Sequence, residues 1–185
     1  MTRKVFIIHG YDATPNDNWF PWLKKELEAK GFQVQAPQMP DAANPTLAGW
    51  LGHLKKIVGE PDENTFLVGH SLGTITILRF LESLPPDKKV SGVVLVGGFS
   101  ESLNFKPLET FTEKPLDYEK VKKSVGHIVT IHSTDDASVP YKFAEIIRDK
   151  LGAELITLEG AGHINHSSGY FQLPQALEAI LKMAL

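Results

Sequence analysis

Short β-branched runs alternate with stretches whose apolar residues recur at helical spacing. This alternation constrains the fold more than any other feature of the chain. Val5-Phe6-Ile7-Ile8 reads as a buried strand, and Leu23, Leu27 and Lys30 mark the helix after it, with Pro21 suited to its first turn and Gly31 to its end. Phe32 to Ala36 reads as a second strand. Leu47, Trp50, Leu51, Leu54, Ile57 and Val58 form the wide apolar stripe of an amphipathic helix. Strands then recur at Thr65-Phe66-Leu67-Val68, Val90 to Val96, Ile128 to Ile131 and Glu154 to Leu158. Between them lie helical patterns on Leu72, Ile75, Leu78 and Leu81, and on Phe143, Ile146, Ile147 and Leu151, with a closing helix over Leu173 to Leu185. Such alternation predicts an α/β fold, a three-layer α/β/α sandwich around a mostly parallel six-stranded sheet. Residues 1–185 fit one domain, with no linker or repeat to divide them.

One stretch breaks the rhythm. Residues 99–116, with Phe99, Phe105, Pro107, Phe111 and Pro115, are too long for an ordinary connection. They read either as an irregular surface loop or as a short lid-like insertion over a site.

Composition matters here for what it removes. The chain has no cysteine, which excludes disulfides, cysteine-ligated metals and a thiol nucleophile. A net charge of −3 gives no electrostatic footprint for nucleic acid or an anionic membrane. No apolar run approaches the ~18 residues of a membrane helix. The opening apolar run, interrupted by His9, is too short for a signal peptide, so a cytoplasmic protein is expected.

The chemistry concentrates in Gly69-His70-Ser71-Leu72-Gly73, a G-x-S-x-G motif directly after a strand and directly before a helix. A serine on such a sharp turn is lifted above the sheet edge, to a helix N-terminus that favours developing negative charge. The bland reading is a serine N-cap on a βα turn. A hydroxyl nucleophile needs a base, usually a histidine oriented by a carboxylate, in the chain order Ser, Asp or Glu, His. After the fifth strand come Asp135 and Asp136. The D-x-x-V-P arrangement through Pro140 favours Asp136 as the acid and leaves Asp135 as a turn residue. After the sixth strand comes Gly160-Ala161-Gly162-His163, which favours His163 as the base over His166. The first strand ends in His9-Gly10-Tyr11-Asp12, where the backbone N–H of Tyr11, with that of Leu72, would form an oxyanion hole. His9 reads as a structural histidine. Trp19 reads either as core or as a wall of the acyl pocket.

Gly-His-Ser71-Leu-Gly, Asp136-x-x-Val-Pro and Gly-His163 together resemble the α/β-hydrolase superfamily. The opening IIHGY, the NWFPWLKK segment, ILRFLE and STDDASVP are similar to the small YdeN-like serine hydrolases, relatives of retinoblastoma-binding protein nine. The resemblance spans nearly the whole chain. It implies a compact sheet of order 2-1-3-4-5-6 without a large cap, and esterase-like activity on a small-molecule acyl substrate. The L-x-C-x-E partner segment of the mammalian relative does not carry over, because this chain lacks cysteine, so a protein partner stays unknown.

Two other classes stand against this reading. A non-catalytic binding module could keep the fold and a relic triad. A nucleotide-binding domain would need a phosphate loop after the first strand, where His9 to Pro15 fits no such pattern. No cofactor is expected. No metal is expected either, since His163-x-x-His166 lacks an H-E-x-x-H context.

Overall fold

The computed structural model describes residues 2–185. Six strands form one sheet: β1 (Lys4–Ile8), β2 (Gln33–Gln35), β3 (Thr65–His70), β4 (Val90–Val96), β5 (Val125–Ser133) and β6 (Glu154–Leu158). Their order is β2-β1-β3-β4-β5-β6, and every neighbouring pair is parallel. Seven α-helices connect or follow them: α1 (Phe20–Ala29), α2 (Leu47–Val58), α3 (Leu72–Glu82), α4 (Glu109–Thr112), α5 (Tyr118–Lys123), α6 (Lys142–Leu151) and α7 (Pro174–Met183). The alternation in the sequence thus becomes the expected three-layer sandwich.

Period two distributes each strand between two cores. Phe6, Ile8, Leu67, Val93 and Leu95 join the helices α2, α3 and α6 on one face. Val5, Ile7, Phe66, Val68, Val94 and Val96 join α1 and α7 on the other. Strands covered on both faces need apolar residues at every position, which is why they read as continuous runs. Each fully buried Leu, Ile or Phe contributes about 1.5–3 kcal/mol.

Two boundaries differ from the sequence reading. Strand β5 begins at Val125, three residues before the apolar run, with Gly126 and His127 exposed. Its first residues are held by register with β4, Val90 against Val125 and Gly92 against His127, so ladder pairing extends it without burial. Strand β2 keeps only Gln33–Gln35, the length that pairs with β1 at the sheet edge.

The strand order reverses direction between β1 and β3. In open α/β sheets that reversal opens a crevice at the carboxyl ends of the strands. Residues 99–116 fold over one side of this crevice as a short 3₁₀ turn at Lys106–Leu108 followed by α4. Phe99, Leu108, Phe111 and Leu116 sink into the α2–α3 core. Buried Arg79 holds the far end of the segment. Its guanidinium donates to the carbonyls of Phe111 (2.9 Å), Lys114 and Pro115 and pairs with Glu82 at 2.8 Å. The segment is therefore anchored by a few buried side chains and clamped at its far end.

Candidate active site

Ser71 stands between β3 and α3 with φ 52°, a left-handed conformation costly for a residue with a Cβ. Its N–H donates to Val96 C=O at 2.9 Å, which ties the turn to the neighbouring strand. The two glycines of the motif are required by close approach. A Cβ at Gly73 would overlap the Ile8 carbonyl oxygen, and one at Gly69 would sit 2.8 Å from the Gly73 backbone. Helix α3 begins at Leu72, so the Leu72 N–H is one of those a helix leaves without an internal partner. The helix dipole adds positive potential at the same place.

Asp136 and His163 meet across the loops that follow β5 and β6. His163 Nδ1–H donates to Asp136 Oδ2 at 2.8 Å. The other carboxylate oxygen, Oδ1, accepts from the N–H groups of Ser138 and Val139, both at 2.9 Å. Asp136 is buried and accepts three hydrogen bonds, which fix the orientation of its carboxylate. With Nδ1 engaged, Nε2 is the nitrogen of His163 left to take a proton.

The loop carrying His163 is held almost residue by residue. Ser133 Oγ accepts from Ala161 N–H at 2.8 Å, and Asp135 Oδ1 accepts from Gly162 N–H at 2.8 Å. His70 Nε2–H donates to the His163 carbonyl at 2.9 Å. Trp19 Nε1–H donates to the Ile164 carbonyl at 3.0 Å, and Asn18 Oδ1 accepts from His166 N–H at 2.8 Å. Ile164 is fully buried at φ 51°, a conformation a β-branched residue adopts only when its surroundings impose it.

Two further histidines surround this pair. The ring of His70 lies 4.7 Å from that of His163 and is fully buried. Burial, then the neighbouring His163, pushes its pKa down to about 3, so it stays neutral. His132 is also buried; its Nε2–H donates to Val139 C=O at 2.7 Å, with Asp136 Oδ2 at 3.7 Å. Burial lowers its pKa as well. Neutral rings here shield Asp136 from solvent without adding a competing positive charge.

Ser71 and His163 line one open cleft of about 660 Å³, together with Gly10, Tyr11, Leu103, Phe105 and Val139. The loop bearing Tyr11 is fixed beneath by His9. Its Nδ1–H donates to Gly10 C=O at 2.8 Å, and its Nε2 accepts from Met39 N–H at 2.9 Å. His9 is a buried structural residue with its pKa lowered by burial. Asp12 N–H donates to Ala42 C=O at 2.8 Å, anchoring the residue after Tyr11.

Ser71, His163 and Tyr11 line one cleft, with Asp136 buried behind His163 and Leu72 buried at the start of α3. Trp19 does not join them. It is fully buried against Phe20 and His70, and its indole N–H is spent on Ile164. The reading of Trp19 as a pocket wall is corrected: an aromatic with a buried N–H is placed where that N–H finds an acceptor. His166 lies at the outer cleft with its ring against Phe171, away from Asp136. Sequence reasoning missed His70, His132 and Asn18. His70 sat in the middle of the recognised motif, which was its one available signal; His132 and Asn18 carry none. Among the described residues no three His, Asp or Glu side chains converge as metal ligands, and no helix is long and apolar enough to cross a membrane.

Known proteins resemble this chain in sequence and in fold. The profile of the serine hydrolase family matches residues 5–182. The YdeN protein of Bacillus subtilis (strain 168) is 41% identical over 175 residues, covering 94% of this chain and 92% of its own. The serine hydrolase RBBP9 of Rattus norvegicus is 29% identical over 188 residues, covering 100% of this chain and 98% of its own. The crystal structure of B. subtilis YdeN superposes with a TM-score of 0.92 at 37% identity, covering 98% of each chain. On a profile that spans almost every element of the sheet, and a relative this similar along its whole length, the chain belongs to the serine hydrolase family.

Proposed function

We propose that the protein is a carboxylesterase-like serine hydrolase that cleaves a small acyl ester or related acyl substrate through an acyl-enzyme. Ser71 Oγ attacks the carbonyl carbon while His163 Nε2 takes its proton. Asp136 keeps the imidazole in the Nδ1–H tautomer and stabilises the imidazolium that forms. The N–H groups of Tyr11 and Leu72 receive the oxyanion, each such donor being worth about 3–4 kcal/mol in the transition state. His163 then protonates the leaving group, and water repeats the sequence on the acyl-enzyme.

The observation that carries this reading is the 2.8 Å bond from His163 Nδ1 to an Asp136 fixed by two backbone N–H groups, made at the cleft that Ser71 lines from a helix N-terminus. The cleft volume of about 660 Å³ suits a small molecule rather than a macromolecular groove. A cytoplasmic enzyme without cofactor, nucleic-acid or membrane partners completes the proposal, supported by the net charge of −3.

A fluorophosphonate probe should label the wild-type protein and leave Ser71→Ala unlabelled. Labelling of the variant at the same position, or no labelling of the wild type, would sink the proposal. Short-chain aryl esters turned over above background distinguish an enzyme from a binding module with a relic triad.

A further inference from the structure

The two walls of the cleft differ in chemistry, and they come from opposite faces of the sheet. On one side stand Tyr11, Leu103, Leu108 and Val139, all part of or packed against the α2–α3–α6 core. Phe105 extends this wall; its ring meets Tyr11 edge-on at 5.6 Å, and it remains 46% exposed. On the other side stand Asn18, Asn165, His166 and Ser167, carried by loops above the α1–α7 core that Trp19 and Ile164 anchor. The bond from His166 N–H to Asn18 Oδ1 joins these loops into one polar wall. Asp12 and Asp17 also line the cleft, and no lysine or arginine does.

The reaction assigns a substrate half to each wall. When the tetrahedral intermediate collapses, the bond from the carbonyl carbon to the leaving oxygen breaks. The proton on His163 Nε2 passes to that oxygen. The leaving group must therefore lie within hydrogen-bond reach of the His163 ring, on the polar side. The acyl chain, held by its carbonyl carbon at Ser71, is left with the apolar side.

We infer that the cleft selects an apolar acyl group joined to a polar, cationic leaving group such as an amino alcohol, and discriminates against anionic leaving groups. This rests on the hydrolase reading above. Neutral hydroxyl and amide groups on the polar wall hydrogen-bond an alcohol of any charge. The two carboxylates, unopposed by any lysine or arginine in the lining, bias the choice by charge. Because Asp12 is exposed and Asp17 only half-buried, the bias is a screened one, of moderate size.

The test is a series with one acyl group and three leaving groups of similar size. Butyryl esters of choline, of its uncharged carbon isostere neohexyl alcohol, and of isethionate are compared by kcat/KM at low ionic strength. The expected order is choline, then neohexyl, then isethionate, with about a tenfold span that shrinks as salt is added. The double variant Asp12→Asn, Asp17→Asn should bring the choline-to-isethionate ratio close to one. Both positions tolerate asparagine, including Asp12 at φ 48°. Phe105→Ala should lower the preference for butyryl over acetyl esters several-fold. An isethionate ester cleaved as fast as the choline ester, a ratio unmoved by the double variant, or no turnover of the series by a protein whose Ser71 the fluorophosphonate labels, overturns the inference. Failure of the probe to label Ser71 overturns the hydrolase reading first, and this inference with it.

Discussion

Ser71 and Ile164 both sit at positive φ, 52° and 51°, the first in the turn of the candidate nucleophile and the second beside His163. The chain secures them by opposite means. The nucleophile turn is held locally: Gly69 and Gly73 remove the side chains that would prevent β3 and α3 from closing on β1. The base loop is held remotely, by Asn18, Trp19, His70, Ser133 and Asp135, each reaching in from another element. Strain imposed by neighbours in sequence leaves a motif. Strain imposed by neighbours in space leaves none. The two regions should therefore fail differently, the first at one substitution and the second in increments.

The largest effect lies where the base loop meets its acid. Asp136→Asn keeps the shape but offers an amide to His163 Nδ1, and the other tautomer then leaves no acceptor facing Ser71. The expected loss in kcat is about 10⁴-fold, with the fold intact by circular dichroism. A loss under tenfold would show that His163 does not depend on this partner.

His70 belongs to both regions, being the residue before Ser71 and the donor to the His163 carbonyl. In the folded chain it stays neutral down to about pH 3, whereas an unfolded imidazole protonates near 6.5. Between those values the unfolded chain binds more protons, so stability falls as pH falls. The contribution is fully present above pH 6.5 and lost by about pH 3, and it amounts to as much as about 5 kcal/mol. Urea titrations of His70→Asn across that window should show a shallower fall than wild type. Parallel curves would contradict a buried neutral His70.

Breaking the nucleophile turn takes one methyl group. In Gly73→Ala the new Cβ meets the Ile8 carbonyl, a backbone atom of β1 that cannot yield without moving the sheet. A stability loss of about 3 kcal/mol or more is expected from chemical denaturation, together with loss of probe labelling. A variant that melts like wild type would mean that the turn is looser than its geometry.

The same contrast explains what the sequence made legible. The strands and the longer helices lie in contiguous patterns, where spacing encodes local structure directly, whereas the sheet order was legible only through the family resemblance. Asp135 was separable from Asp136 by local spacing, and it does serve the loop, through Gly162. Trp19 was not legible, because its partner Ile164 lies 145 residues away and nothing in either segment names the other. The apolar run marks only the later part of strand β5, because ladder pairing with β4, unlike burial, needs no apolar residue. The far end of residues 99–116 is clamped by Arg79, a single charge that looks solvated in a linear reading but is buried under three carbonyls.

The smallest predicted effect is also the one that separates support from catalysis. Trp19→Phe keeps an aromatic ring among Phe20, His70 and the α1–α7 core, and removes only the indole N–H. The Ile164 carbonyl is then left in a buried place without its donor, at a cost of about 1–3 kcal/mol. Ile164 then keeps only its N–H bond to Ala161 and its buried side chain to hold it at positive φ, and any relaxation is passed to the adjacent His163. A shift of a fraction of an ångström lengthens the proton path between Ser71 and the imidazole without altering either wall of the cleft. The expected signature is kcat lowered about tenfold with KM little changed. A purely structural tryptophan would lower the melting temperature and leave kcat alone. The two outcomes, measured on one purified variant, decide whether remote contacts of the base loop position the base or merely stabilise the fold around it.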